Sequence, residues 1–139
     1  MNLASIPVLP PSFDNKLIAK LPAVRGRLTE NAPLGSTTWF RVGGPAEVLF
    51  KPADLADLEQ FISGCPQEIP LTVIGVASNL LIRDGGIPGV VIKLGKEFAT
   101  IEVEGETVTA GAAALDINVA QVAARAGIGG LEFLSGIPG

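Results

Sequence analysis

The chain has 139 residues, and its 47% hydrophobic and 17% charged residues are typical of a folded domain rather than a disordered segment. The formal net charge is −4 and no basic cluster is present, which argues against a nucleic-acid partner. Because histidine is absent, this chain alone cannot form a Ser-His-Asp or Cys-His catalytic site or a histidine metal centre, and we predict no metal site. No apolar run approaches the roughly 18 residues that span a bilayer, so we expect no membrane partner.

Cys65 is the single cysteine, which rules out an internal disulfide or a CxxC redox pair within the chain. It stands between Gly64 and Pro66 after a helical pattern, and we interpret it as an ordinary helix-end residue. The N-terminus lacks the pattern of a secretory signal, and this cysteine usage favours a reducing compartment. We therefore expect a cytoplasmic location.

Residues 1–35 contain five prolines and little sustained periodicity. We predict that they form an N-terminal arm lying on a body that begins near residue 36. A short helix around residues 13–21 is compatible with this segment.

Residues 36–95 are predicted to form a first subdomain built on a β-α-β unit. Residues 46–50 have the composition of a strand, and residues 71–74 form the next one. Between them, Asp54 precedes a helical face made by Leu55, Leu58, Phe61 and Ile62. The crossover predicts parallel strands, and residues 89–94 add a further strand.

Residues 96–139 are predicted to begin a second subdomain. Residues 99–104 and 106–110 alternate apolar and polar side chains around Gly105, which predicts an antiparallel hairpin. Leu115, Val119 and Val122 then mark a helix face that ends at Gly127. A parallel α/β portion followed by an antiparallel portion predicts an α+β fold.

The most informative segment is the loop of small residues that follows the strand at residues 71–74. Gly75, Ala77 and Ser78 carry little side-chain bulk, so a ligand could approach the backbone amides. Successive N–H groups in such a turn bind phosphate or pyrophosphate without a lysine. The carboxyl end of a strand is also where open α/β sheets bind ligands. From the loop alone, a nucleotide cofactor site and a structural turn remain equally open.

Four segments in order extend this argument: Thr38-Trp-Phe-Arg-Val-Gly-Gly-Pro-Ala46; residues 75–81 with 83–86; Val108-Thr-Ala-Gly111; and residues 130–139. Together they resemble the UDP-N-acetylenolpyruvoylglucosamine reductase (MurB) family. That family belongs to the flavoproteins with a vanillyl-alcohol-oxidase, or PCMH-type, FAD-binding domain. The resemblance covers roughly residues 36–139.

The resemblance implies two loops that hold FAD. The cofactor-binding residues implied are Gly75, Val76, Ala77, Ser78, Asn79 and Leu80 in the first loop, Gly111, and Gly136, Ile137, Pro138 and Gly139 in the second. The family usually has Gly-x-Gly-Ser-Asn in the first loop, and Ala77 replaces its second glycine. We expect the methyl group to be tolerated at negative φ and to cost about 1 kcal/mol at positive φ.

Other residues in these segments are expected to be structural. Gly43 and Gly44 are interpreted as turn glycines. Arg83 and Asp84 are interpreted as a solvated turn, because a carboxylate beside a pyrophosphate is unfavourable. Glu132 is interpreted as a structural or helix-capping group.

The implied activity is a reduction in peptidoglycan synthesis. NADPH would reduce FAD, and the flavin would reduce UDP-N-acetylglucosamine enolpyruvate to UDP-N-acetylmuramate. The family's catalytic arginine, serine and late glutamate lie beyond Gly139, so we expect no catalytic residue here and a fragment that binds FAD weakly or not at all. Oligomeric state stays open.

Two alternatives also remain. One is another flavoenzyme with this fold, such as a 2-hydroxy-acid dehydrogenase or sugar oxidase. The other is a non-catalytic binding module, which a flavin absorbance spectrum would distinguish.

Overall fold

A four-stranded sheet, a two-stranded hairpin and two α-helices make up residues 12–137, the part of the chain that the computed structural model describes. In chain order the elements are β1 (Arg27–Pro33), β2 (Pro45–Lys51), α1 (Leu55–Gly64), β3 (Leu71–Ile74), β4 (Ile87–Lys93), β5 (Ile101–Glu104), β6 (Thr107–Ala110) and α2 (Asp116–Arg125). Single 3-10 turns cover Ile18–Lys20, Lys96–Phe98 and Glu132–Gly136. The predicted α+β class is confirmed.

The larger sheet has the strand order β1-β2-β4-β3. Strands β2 and β3 both run parallel to β4, which lies between them, so the predicted parallel β-α-β unit is confirmed. The central strand β4 contains the fully buried run Val90, Val91 and Ile92, as expected for a strand covered on both faces. Helix α1 packs on one face, where the rings of Phe61 and Phe50 lie 4.3 Å apart between centroids.

Helix α1 begins and ends where the sequence predicts. The Asp54 side chain accepts a hydrogen bond from the amide of Asp57 at 2.9 Å, which is an N-cap. Cys65 is the C-cap residue, so its interpretation as a helix-end residue is confirmed. Burial, with a contribution from Glu68, raises the pKa of the Cys65 thiol, which makes it less reactive.

Asp57 ties the segment before β1 to this helix. Its carboxylate, 1% exposed, accepts hydrogen bonds from the amides of Arg25 (2.8 Å), Gly26 (2.8 Å) and Ala53 (2.9 Å). Burial opposes the ionised form, but these three donors outweigh it and hold the pKa of the Asp57 carboxyl below its usual value. The charged carboxylate is therefore a structural anchor.

The main difference from the sequence analysis is β1. Residues 1–35 were expected to form an arm, yet residues 27–33 are a strand paired antiparallel with β2 over the full length of β1. The strand lies at the edge of the sheet, and most of its residues are half-exposed or exposed. Polar residues are therefore tolerated along it, and its sequence lacks the alternation of apolar and polar residues by which a strand is predicted. The helix considered around residues 13–21 is only the 3-10 turn Ile18–Lys20.

The predicted hairpin and the helix after it are both present. Ile101 pairs with Ala110 and Glu104 with Thr107, and Gly105 turns between them with φ +58°. Gly127 ends α2 with φ +73°, where the amide of Ile128 bonds to the carbonyl of Ala123 at 2.9 Å. This hydrogen bond satisfies the carbonyl of Ala123 in the last turn of the helix.

Within residues 12–137, no helix is long and apolar enough to cross a membrane. The same residues contain no cluster of three or more histidine, cysteine, aspartate or glutamate side chains placed to hold a metal ion.

Candidate functional site

A cavity of about 280 Å³ lies at the carboxyl end of β3. Its walls are residues 73–80 on one side and residues 112–116 on the other. The structure therefore brings together all six residues expected in the first loop, 75–80, around one hollow. It also adds a second wall that the sequence analysis did not assign.

The loop presents backbone donors to this cavity. Among the described residues, the amides of Val76, Ala77 and Ser78 donate to no main-chain carbonyl. A Cβ added at Gly75 would meet no atom within 4 Å, so the space over this residue is open. Such a run of amides beside an open space has the chemistry to bind a phosphate group.

Ala77 occupies the strained position of the loop. Its φ is +59°, in the left-handed region that L-residues other than glycine rarely adopt. Positive φ is the condition under which the Ala77 methyl group is expected to destabilise the loop, and the structure meets it. The side chain is only 5% exposed, and the carbonyl of Ala77 accepts a hydrogen bond from the amide of Trp39 at 3.2 Å. The surrounding structure thus holds the loop in this conformation.

The opposite wall combines the loop before α2 with the first turn of that helix. The amide of Ala113 bonds to the carbonyl of Phe98 at 2.9 Å, which fixes this loop beside the hairpin. Helix α2 begins after Leu115, a residue that cannot cap the first amides of the helix. The helix dipole adds partial positive charge at this end. Asp116 is the one charged residue among the described residues that line the cavity. An anion is thus better placed against the 75–80 loop than beside Asp116.

Gly111 has a packing role beside the cavity. A Cβ at this position would lie 2.1 Å from the carbonyl oxygen of Phe98, closer than any real contact. Residues 112–116 line the cavity but Gly111 does not. Its expected contact with the cofactor stays a prediction, whereas the glycine is required for the backbone to pass Phe98.

The second predicted FAD loop is only partly described. Gly136 ends the 3-10 turn Glu132–Gly136 and Ile137 follows it; neither lines the 280 Å³ cavity. Pro138 and Gly139 lie outside the described residues. Glu132 accepts a hydrogen bond from the amide of Gly130 at 2.8 Å, which supports its interpretation as a structural residue rather than a cap, since Gly130 precedes the turn.

The predicted turn glycines mark a close approach of two chain segments. A Cβ on Gly44 would lie 2.1 Å from the carbonyl oxygen of Asp84, and the amide of Gly44 bonds to the carbonyl of Arg83 at 2.9 Å. This backbone-to-backbone packing accounts for Gly44 without a ligand. Both Arg83 and Asp84 have exposed side chains.

A second cavity, of about 360 Å³, adjoins the first loop and was missed by the sequence analysis. Its lining residues are Ser36, Thr37, Thr38, Trp39, Arg41 and Val76. Val76 lines both cavities. The signal available in the sequence was the aromatic and basic pair Trp39 and Arg41, which lie in the first of the four segments that carry the resemblance.

Comparisons with known proteins show which family the chain is similar to. The family model described as FAD binding domain matches residues 46–139. The UDP-N-acetylenolpyruvoylglucosamine reductase of Rhodospirillum rubrum is 63% identical over 123 residues, which is 88% of this chain and 39% of the relative. The enzyme of the same name from Azorhizobium caulinodans is 57% identical over 129 residues, 93% of this chain and 42% of the relative.

Among solved structures, the crystal structure of UDP-N-acetylenolpyruvylglucosamine reductase (MurB) from Thermus caldophilus matches with a TM-score of 0.62 and 38% identity. The match covers 84% of this chain and 39% of that chain. The chain thus spans about two fifths of the length of these relatives. With a family model over residues 46–139 and these relatives, the chain belongs to the FAD binding domain family, in the form found in UDP-N-acetylenolpyruvoylglucosamine reductases.

Proposed function

We propose that this chain is the FAD-binding portion of a UDP-N-acetylenolpyruvoylglucosamine reductase, and that residues 75–80 hold the pyrophosphate of FAD. The observation that carries the proposal is the open cavity at the end of β3, bordered by amides that have no main-chain partner in the described part of the chain. The family match and the named relatives support the same assignment.

The residues present fit a diphosphate. Among residues 12–137, no lysine or arginine lines the 280 Å³ cavity, so the backbone amides and the Ser78 hydroxyl would provide the hydrogen bonds. Gly75 leaves room for oxygen atoms close to the main chain. The roles of Gly111, Gly136, Ile137, Pro138 and Gly139 as further FAD contacts belong to this proposal and rest on the resemblance of their segments.

The chemistry that FAD supplies when bound is hydride transfer, in the proposed reaction from NADPH to UDP-N-acetylglucosamine enolpyruvate in peptidoglycan synthesis. Residues 75–80 would bind and orient the diphosphate. Asp116 lies in the cavity wall, and we propose no step for it. We assign no catalytic role to this chain, and we propose the cytoplasm as its location because Cys65 is a lone thiol.

The test of the loop uses two matched glycines. A Cβ at Gly75 or at Gly85 meets no atom within 4 Å, and neither residue has a positive φ. Gly75 lines the cavity but Gly85 does not. In the full-length chimera described below, Gly75→Asp should weaken FAD binding, measured by equilibrium dialysis, about tenfold or more, because a carboxylate would face the diphosphate at short range. Gly85→Asp should bind FAD as the unsubstituted chimera does. Equal losses in both variants would show that the loop is not the diphosphate site.

A chimera tests the assignment at full length, since the chain covers only part of its relatives. This chain would replace the matching 123 residues of the Rhodospirillum rubrum reductase. We expect a yellow protein with one FAD per chain that oxidises NADPH when UDP-N-acetylglucosamine enolpyruvate is added. A folded but colourless chimera would refute the FAD assignment. A yellow chimera without this activity, beside an active parent enzyme, would refute the reductase assignment.

A further inference from the structure

A basic row, made by Arg27, Lys51 and Lys93, crosses one end of the four-stranded sheet. Arg27 in β1 is the register partner of Lys51 in β2. Strands β2 and β4 are parallel and pair Phe50 with Ile92. The next residues along, Lys51 and Lys93, are therefore neighbours at the carboxyl ends of these strands. Register partners point to the same face of a sheet, and neighbouring strands lie about 4.8 Å apart, so the three cations stand side by side.

The side chains of the basic row line a cavity of about 200 Å³. This cavity lies on the sheet face opposite α1, because Leu49 in its wall belongs to the apolar cluster of Val91 and not to that of Phe61. Among the described residues, no aspartate or glutamate lines it. It also has no lining residue in common with the diphosphate cavity, so the two are separate hollows.

The positive charge of the basic row is not neutralised within the part of the chain that the structure describes. The ion pairs among residues 12–137 join Lys16 to Asp14 and Arg25 to Asp54. Lysine on an edge strand protects a sheet from aggregation, but Lys51 and Lys93 belong to β2 and β4, the two interior strands. Like charges directly opposite each other destabilise a sheet, so a bound anion would stabilise this end of it.

We propose that this cavity binds a phosphate-bearing polyanion, with a diphosphate group held by the basic row. Arg27 presents a planar fork that fits two phosphate oxygens, and the two lysines add point charges. The Thr29 hydroxyl is a further donor in the lining. The volume of about 200 Å³ equals that of roughly seven water molecules, which is enough for a diphosphate and leaves any attached nucleoside outside.

This anion is distinct from FAD. FAD carries one diphosphate, which the proposed function assigns to residues 75–80. The 200 Å³ cavity adjoins the 360 Å³ cavity through Ser36 and Thr37. Their hydroxyls donate to main-chain carbonyls, so lone pairs rather than donors face that border. The anion is therefore held at the end of the strands, and either site can be occupied without the other.

The test uses labelled pyrophosphate as the probe and the full-length chimera, with excess FAD, as the protein. Equilibrium dialysis at low ionic strength should detect saturable binding of pyrophosphate. Lys51→Gln should weaken this binding about tenfold, because a charge-assisted hydrogen bond is lost. Lys51→Arg keeps the charge and should retain most of the affinity. Lys20 is the matched control, because it is exposed and its 3-10 turn packs on the α1 side of the sheet through Ile18. Lys20→Gln should bind pyrophosphate as the unsubstituted chimera does.

Competition identifies the source of the phosphate groups. Stronger displacement of the probe by ADP than by unlabelled pyrophosphate indicates a nucleotide ligand, and equal or weaker displacement indicates free phosphates. Citrate that displaces the probe as well as pyrophosphate does would show a general attraction for anions and would overturn the phosphate assignment.

The remaining outcomes separate this site from the proposed FAD site. An absence of saturable binding, as when a downstream segment fills the cavity, would overturn the proposal, and so would equal affinities of Lys51→Gln and Lys20→Gln. FAD content, measured by absorbance in the same samples, should not change in Lys51→Gln. Loss of FAD in this variant would assign the basic row to the FAD site and not to a second anion. A colourless chimera that binds pyrophosphate through Lys51 would refute the proposed function and leave the anion site standing.

Thermal unfolding gives a second measure of the same site. Pyrophosphate should raise the Tm of the unsubstituted chimera and of Lys20→Gln, because a ligand bound to the folded state stabilises it. The increase should be smaller in Lys51→Gln. Circular dichroism confirms that each variant is folded before the ligand is added. Equal increases in all three proteins would contradict binding at the basic row.

Discussion

Ala77 allows the strain in the diphosphate loop to be measured directly. The residue has φ +59° and is 5% exposed, so its methyl group is buried in a backbone conformation that favours glycine. Replacing Ala77 with glycine removes that strain. We expect the free energy of unfolding of Ala77→Gly to stay within about 1 kcal/mol of the parent value, although a buried methyl group is lost.

The magnitude follows from three opposing contributions. Relief of the left-handed conformation stabilises the variant by about 1–2 kcal/mol. The greater backbone freedom of glycine in the unfolded chain costs about 0.5–1 kcal/mol, and loss of the buried methyl group costs about 0.8 kcal/mol. The gain and the costs therefore nearly cancel at Ala77.

Ala46 is the matched control, because it is 0% exposed and lies in β2 without a positive φ. Ala46→Gly has the same costs and no relief, so it should lose about 1.5 kcal/mol or somewhat more. The difference between the two variants, about 1–2 kcal/mol, estimates the strain at Ala77. Urea unfolding followed by circular dichroism measures both values. Equal destabilisation of the two variants would show that the positive φ at Ala77 carries no energetic cost.

Two further predictions concern residues outside the loop. Asp57→Asn should lower the free energy of unfolding by about 2–4 kcal/mol at neutral pH, because the buried carboxylate accepts three amide hydrogen bonds. The pKa of Asp57 is lowered in the folded state, so its stabilisation is present above the usual carboxyl pKa and is lost as the pH falls through the folded-state value. Acid titration of stability should therefore be shallower in Asp57→Asn, and parallel curves would contradict the anchor role. Gly111→Ala should lower the free energy of unfolding by about 1–3 kcal/mol in the same urea assay, since its Cβ would lie 2.1 Å from the carbonyl oxygen of Phe98. An unchanged unfolding midpoint would show that the backbone around Phe98 can move aside without loss of stability.

The elements that the sequence predicted well are those with a strong local signal. Strand β3 has the bounds 71–74 that its apolar residues indicate, and α1 follows from the cap at Asp54 and the spacing of its apolar residues. Gly105 and Gly127 have the positive φ values that their turn positions require. In each case a few neighbouring residues are sufficient to specify the structure.

The features that were missed depend on residues distant in sequence. Strand β1 forms because β2 provides its partner, and its own polar residues do not indicate a strand. The wall at residues 112–116 faces the cavity only because the hairpin and α2 bring it to the loop after β3. The role of Gly111 depends on Phe98, which the local pattern around the glycine could not reveal.

The resemblance predicted the cavity lined by residues 75–80 but did not predict the cavity at Trp39 and Arg41. Their grouping around a cavity was predicted from a short motif, and the structure brings residues 75–80 together there. The cavity at Trp39 and Arg41 required coordinates, because it depends on a hydrogen bond between Trp39 and Ala77.

The pairing of β1 with β2 shows that the region matched by the family model is smaller than the unit that folds. The matched family region begins at residue 46, inside β2, whereas β1 ends at Pro33 and Asp57 binds the backbone of Arg25 and Gly26. Trimming the protein to the family boundary would leave β2 as an uncovered edge with apolar side chains, a template for aggregation. A shortened version intended for crystallisation or nuclear magnetic resonance should therefore begin before Arg25.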